Sequence, residues 1–211
     1  MITLEEITEC ALEYGACDTY LKPFLDAIKK EDYILAWKIV VLKMDWLQHN
    51  DLDISLDDIP VDVDGETTTE LDEGIIIKFN LLNKKLEGDY IVYRDNGLIR
   101  DIYTYNDGKL NGICEHYFYQ SEILRSRHFY VNNKLHGEYK TFYEDGKIRT
   151  QMFYLDDKKE GEYKTFHENG KVERIAFCKG SHFHGEYKTF YENGKPKTNG
   201  MYEYNRRVGK F

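Results

Sequence analysis

Among the 7 histidines and 4 cysteines of this 211-residue chain, the group best spaced for metal chemistry is Cys178, His182 and His184. A second arrangement is a column, His136, Glu160 and His184, whose members recur 24 residues apart just before a glycine. If each copy is two strands, neighbours in that column stand about 9.6 Å apart, far beyond the ~3–4 Å between ligand atoms on one zinc. The column therefore cannot share an ion. Two solvated histidines in a turn account for the Cys178 group equally simply, and the sequence assigns no metal. Asp62-Val63-Asp64-Gly65 opens like a calcium loop, but Leu71 stands where the bidentate glutamate belongs. There is no G-x-S-x-G, no phosphate-cradling loop, no Cys/His nucleophile arrangement and no Cys-x-x-Cys pair. The expectation is a protein that is not an enzyme, with no catalytic residues, no cofactor and reduced thiols.

What must be positioned instead is aromatic. The chain has 18 Tyr, 11 Phe and 2 Trp, and 25 of these rings fall within residues 74–211. There they belong to a repeat of period 24. Gly137-Glu-Tyr-Lys-Thr-Phe-Tyr-Glu-Asp-Gly-Lys147 returns almost unchanged as 161–171 and 185–195, with earlier, more divergent copies at Gly88 and Gly112 and a half-copy at Gly74–Gly88. The 112 unit has one extra residue, and Ser121-Glu122 replaces its turn glycine. Tyr139, Thr141 and Tyr143 alternate with Glu138, Lys140 and Phe142, the period of a strand, and Glu-Asp-Gly or Glu-Asn-Gly supplies a hairpin turn. Each unit is expected to be a β-hairpin. Chained hairpins give a single-layer antiparallel meander of ten to twelve strands.

Residues 1–50 read as about three short amphipathic helices that cap or adapt the array. Thr3 and Glu6 form a capping box, Pro23 is expected near the first turn of the second helix, and Ile34, Trp37, Val41, Met44 and Leu47 stripe the third. Residues 51–73 carry ten carboxylates and read as a solvated acidic connector, with Ile59, Val61 and Val63 as an alternative edge strand turning at Asp64-Gly65. The fold class is mainly β with a small α N-terminal part. Charge follows the same division: residues 1–64 hold 15 acidic and 5 basic side chains, residues 65–211 hold 23 and 24, against a net charge of −9 overall. Nucleic acid is disfavoured as a partner, because phosphate binding needs concentrated Lys/Arg.

These units resemble the MORN repeat family, specifically the G-x-Y/W-x-x-Y/F-Y-x-N-G-K variant found in bacterial and viral genomes and sometimes labelled an antitoxin family. The resemblance covers about residues 74–211. Gly15-Ala16-Cys17 and Asp45-Trp46-Leu47 are similar to a short helical module that precedes some repeat arrays. The resemblance implies a scaffold that binds proteins or associates with membranes, cytoplasmic in a bacterium or in the host cell of a virus. No segment reaches the ~18 consecutive apolar residues of a membrane span.

A lone sheet must shield its own rings, so Phe118, Phe142, Phe166 and Phe190, after Tyr93, are expected to stack as one ladder, and Tyr90, Tyr139, Tyr163 and Tyr187 as another on the opposite side. Left exposed, the tyrosine positions Tyr90, Tyr139, Tyr143, Tyr163, Tyr187 and Tyr191 are the candidate protein-binding stripe. Alternatives are peripheral membrane association through the rings and Lys140, Lys164 and Lys188, neutralisation of a toxin or small ligand, and self-association through the open C-terminal edge at Phe211.

Overall fold

The computed structural model describes residues 3–13, 18–29, 34–40, 63–70 and 74–209, and divides into two compact units, one of residues 1–99 and 105–108 and one of residues 100–104 and 109–211. Both are built from antiparallel β-meander, and the helices belong to the first.

In the first unit, α1 (Leu4–Glu13) starts at the expected capping box. The Thr3 amide donates to Glu6 Oε2 at 2.7 Å and the Glu6 amide donates to Thr3 Oγ1 at 3.2 Å. The backbone hydrogen bond from Thr3 is the main cause that holds the Glu6 carboxyl below its ordinary value. Helix α2 (Asp18–Lys29) carries Pro23 in its interior, not in its first turn, so one intrahelical hydrogen bond is missing there. Residues 34–40 form α3, where Ala36, Trp37, Ile39 and Val40 are buried, while Ile34, expected in the same stripe, stands exposed in the first turn. The expected stripe beyond it, Val41 to Leu47, lies outside the described residues, as do Gly15 and residues 51–62. The acidic stretch is structured where it is described: Gly65–Glu70 is strand β1, with Val63 buried ahead of it and Thr69 buried within it. Asp64, a calcium candidate by sequence, accepts the amides of Asn83 and Lys84 at 2.7 Å each, which makes it a turn acceptor. Strand β1 pairs with β2 (Ile76–Leu82), and β2 with β3 (Lys85–Leu86) and β4 (Gly88–Tyr93). Ile77, Phe79, Leu81 and Val92 share one buried face, an ordinary apolar core.

Strand β5 (Ile99–Asn106) is divided between the units. The second unit continues with β6 (Lys109–Tyr117), β7 (Leu124–Val131), β8 (Lys134–Phe142), β9 (Ile148–Leu155), β10 (Lys158–Lys159), β11 (Gly161–Phe166), β12 (Val172–Lys179), β13 (His182–Phe190), β14 (Pro196–Glu203) and β15 (Arg206–Val208). Each main strand pairs with the next, and β10 folds back on β9. Its buried side chains are small, sulfur-bearing or polar: Cys114, Ser126, His128, Met152, Thr165, Ala176 and Cys178. At the head of each unit Gly112, Gly137, Gly161 and Gly185 adopt positive φ, and at Gly112 an added Cβ would lie 2.8 Å from that of Thr104. The recurring glycine is thus a backbone requirement.

Two kinds of turn alternate. In Glu144-Asp145-Gly146, only the glycine has positive φ, and Asp145 Oδ1 accepts the Lys147 amide at 3.0 Å. At the other end, Asn132–Asn133, Asp156–Asp157 and Tyr204–Asn205 place two consecutive non-glycine residues at positive φ, as a type I′ turn requires. The second residue also clamps the preceding hairpin. Asn133 donates its amide to Leu110 O at 2.8 Å and accepts the Leu110 amide on Oδ1 at 2.7 Å. Asp157 does the same to Leu135, Ser181 to Lys159 and Asn205 to Phe183.

This clamp predicts a graded response at Asn133. Asn133→Ala loses the acceptor and must hold a left-handed backbone, which costs about 1–2 kcal/mol, while Asn133→Gly loses the acceptor alone and costs less. Urea unfolding monitored by circular dichroism should rank the midpoints wild type, glycine variant, alanine variant.

Candidate functional site

Register assigns every strand residue of the second unit to one of two faces. On the tyrosine face, Tyr139 stands opposite His128 and Met152, and Tyr163 and Tyr187 both stand opposite Ala176, with Gly200 also opposite Tyr187. The expected direct tyrosine ladder does not form, because equivalent residues are two strands apart and a residue of the intervening strand sits between them. Rings meet instead through intermediates. Tyr139 stacks on His128 at 5.1 Å and touches Tyr154 at 5.6 Å, while Phe183 lies 6.0 Å from Tyr163 and 5.5 Å from Tyr187. In the first unit Tyr90 lies 6.1 Å from Phe79 and 6.3 Å from Tyr105. Tyr90, Tyr139, Tyr163 and Tyr187 are all half-buried.

The Gly112 unit replaces this tyrosine with Cys114, which is fully buried opposite His128. His128 is sandwiched there between Tyr139 and His116, the latter at 5.1 Å, and its Nδ1 is buried without a hydrogen-bond partner among the described residues. Burial first, and the neighbouring His116 second, push the His128 pKa down to about 4. His116 Nδ1 lies 2.6 Å from Asp101 Oδ1. Burial opposes ionisation of that carboxyl, but hydrogen bonds from His116 and Arg100 outweigh it and hold its pKa below the ordinary value.

Tyr143 and Tyr191 do not lie among the strand positions of that face; both open a turn. Tyr143 donates its hydroxyl to Phe166 O, in the next unit, at 2.5 Å, and His167 Nε2 approaches Phe190 O at 3.0 Å in the same way. Tyr191 holds the third such position and is 51% exposed, with Lys197 Nζ 5.4 Å from its ring. Of the sequence-selected stripe, Tyr191 alone is exposed. Cys178, His182 and His184 do not converge: Cys178 is opposite Phe183 on the tyrosine face, and alternation turns both histidines to the other side.

The exposed apolar side chains stand on the opposite face. Ile113, Phe129, Phe153, Phe177 and Met201 are 38%, 39%, 45%, 38% and 48% exposed. Register aligns them in one column, because Ile113 pairs with Phe129, Glu138 with Phe153, Glu162 with Phe177 and Glu186 with Met201. Rings and carboxylates thus alternate along it. The adjacent column is cationic, with Arg127, Lys140, Lys164 and Lys188 interleaved with Gln151, Ile175 and Asn199. Each cation already has an acid beside it: Lys140 to Glu138 at 2.7 Å, Lys164 to Glu162 and Lys188 to Glu186 at 2.6 Å, and Arg127 to Glu115 at 3.3 Å. Phe142, Phe166 and Phe190 share this face by parity, at its turn side. A shallow cleft of about 450 Å³ on it is lined by Ile113, Leu124, Arg127, Phe129, Lys140 and Phe142, among others. This column went unselected in the sequence because the motif is strongest in the first strand of each unit. Its signal is the residue before Tyr130, Tyr154, Cys178 and Tyr202, which is Phe, Phe, Phe and Met at intervals of 24.

Residues 135–156, 159–177 and 183–204 each match the family model of the MORN repeat variant, a repeat type generally associated with protein or membrane interaction. No curated protein matches the chain. Among solved structures, TarM of S. aureus aligns at 17% identity over 64% of this chain and 21% of its own, with a TM-score of 0.27. The GtfA/B complex aligns at 12% over 55% and 21%, with a TM-score of 0.32. The chain spans about a fifth of those chains.

Two predictions follow from the tyrosine face and its turns. Tyr143→Phe removes one hydrogen bond between units and lowers stability by about 1 kcal/mol, measurable as a reduced urea midpoint. For His128, the folded pKa of about 4 lies below the unfolded value of roughly 6.5, so the neutral form is favoured in the fold. Stability is then full above pH ~6.5 and falls as pH drops toward ~4, by up to about 3 kcal/mol. His128→Phe should flatten that slope in unfolding experiments between pH 7 and 4.

Proposed function

We propose that the MORN-variant array is a non-catalytic scaffold that binds a protein through the column Phe129, Phe153, Phe177 and Met201. The supporting observation is that column itself. A large apolar side chain left some 40% exposed at one strand position in successive hairpins, interleaved with carboxylates and recurring about every 9.6 Å, is a periodic exposed apolar pattern, and exposed apolar groups rimmed by polar residues mark interaction sites. Flanking ion pairs form a polar rim, and the shallow, open relief suits a protein surface better than a small molecule.

The tyrosine face supports the reading by contrast. Its rings are half-buried against one another and against small residues, so they stabilise the sheet and offer little free surface. A membrane reading gains less support: each lysine of the cationic column has a glutamate within 2.7 Å, and attraction to anionic lipid depends on unopposed cations.

The test compares three full-length baits in affinity capture followed by mass spectrometry: wild type, Phe153→Lys/Phe177→Lys, and Tyr143→Phe. A stoichiometric partner retained by the wild type and by Tyr143→Phe, and lost from the double lysine variant, is expected. Equal capture by all three, or a turnover activity in the purified protein, would discard the proposal.

A further inference from the structure

We infer that the phenylalanine face pairs with the same face of a second copy of this chain; the inference rests on the reading of that face as a binding surface and names its occupant. The argument is one of self-complementarity. In the first column Glu138, Glu162 and Glu186 alternate with Phe129, Phe153, Phe177 and Met201, and in the second Lys140, Lys164 and Lys188 alternate with Arg127, Gln151, Ile175 and Asn199. Within each strand the two columns are two residues apart: Glu138 with Lys140 on β8, Phe177 with Ile175 on β12. A two-fold axis running across the strands, parallel to the sheet and between the columns, exchanges them.

Under that operation Glu138, Glu162 and Glu186 of one copy lie over Lys140, Lys164 and Lys188 of the other. Phe129 lies over Arg127, Phe153 over Gln151, Phe177 over Ile175 and Met201 over Asn199. From β7 to β14 carboxylates meet ammonium groups, and the phenyl rings and Met201 meet a guanidinium, an amide or an alkyl chain; at β6, the end of the face, Ile113 lies over Glu115. The opposite choice, an axis along the strands, lays each column on its own counterpart, so that no carboxylate faces an ammonium group. The charge pattern therefore selects one arrangement. Being isologous, it closes at two copies.

The size is sufficient. Eight paired strands from β6 to β14 at ~4.8 Å spacing, over a strip about five residues long at ~3.3 Å per residue, present roughly 650 Å² per copy, close to the ~800 Å² per partner of a stable interface. Apolar and charged contacts alternate across it, strand by strand.

Sedimentation velocity of the full chain across a concentration series provides the test. The wild type should sediment as a dimer at micromolar concentration. Phe153→Lys/Phe177→Lys should weaken the dimer at least about tenfold while keeping its strand circular dichroism and urea midpoint. Glu138→Lys/Glu162→Lys should weaken it too, by laying lysine on lysine, and adding Lys140→Glu/Lys164→Glu should restore it because the swapped columns are again complementary. A monomer at every concentration, a dimer indifferent to the face variants, or no rescue by the four-fold swap would overturn the inference. So would a dimer abolished by Val208→Asp and untouched by the face variants, since that outcome assigns pairing to the β15 edge. If the wild type is monomeric yet still captures a stoichiometric partner that Phe153→Lys/Phe177→Lys loses, the scaffold reading stands and only the occupant is wrong.

Discussion

In the second unit, one layer of strands has to satisfy both of its faces and all of its turns from its own neighbours. A sandwich buries large apolar side chains from two sheets against each other, and the first unit, with its helices and buried Ile77, Phe79 and Leu81, holds an apolar core of the familiar kind. The second has β-strands alone. Its fully buried positions are consequently small or polar, Ala176, Cys114 and Ser126 among them, because a small residue between two large ones lets the rings fold down over it. Tyr163 and Tyr187 flank Ala176 from the two neighbouring strands, and both are half-buried.

The same constraint accounts for the turns. Hairpins stacked in a row leave the backbone at each tip without a partner in its own hairpin, and the next unit supplies it. Asn133, Asp157, Ser181 and Asn205 do this at one side of the sheet through reciprocal bonds to a residue 22 or 23 positions earlier. On the other side Tyr143 and His167 reach a carbonyl 23 positions later, and Lys147 Nζ reaches Glu168 O at 3.0 Å. A residue chosen for its side-chain chemistry, such as a tyrosine with a free-looking hydroxyl, can thus be an element of the backbone network.

Much of this was legible in the sequence. The period of 24, the hairpin unit, the two-residue alternation and the capping box at Thr3 and Glu6 all follow from residue spacing, because they are local. Two features were not. Tyr143 follows the parity of Tyr139 and Thr141 on paper, but the register shifts at Thr141/Phe142 and the chain has entered its turn by residue 143. Choosing which aromatic set stays exposed needs the cross-strand partner, and partners come from a different hairpin. Tyr139 is flanked by His128 and Met152, and Phe153 by Glu138, a distinction invisible from the strand itself. His128 shows the limit most sharply: its burial depends on Tyr139, His116 and Cys114, three residues on two neighbouring strands.

Stability and the recognition proposed for this array therefore draw on different faces. A single-layer repeat cannot present its best-packed rings to a partner without unpacking itself, so the tyrosines that make the motif recognisable are the ones least free to bind. The face that remains carries ion pairs two residues apart within one strand, Glu138 with Lys140 and Glu162 with Lys164, and leaves the phenyl rings between them partly exposed. Surface pairs of this kind add little to stability. Their effect is on arrangement: each fixes a carboxylate and an ammonium side by side at every repeat, so an approaching surface meets rings at one spacing and charges at the same spacing. The recognition proposed for such a face is set by pattern more than by any single residue, because a partner that fits it carries the complementary pattern over several repeats.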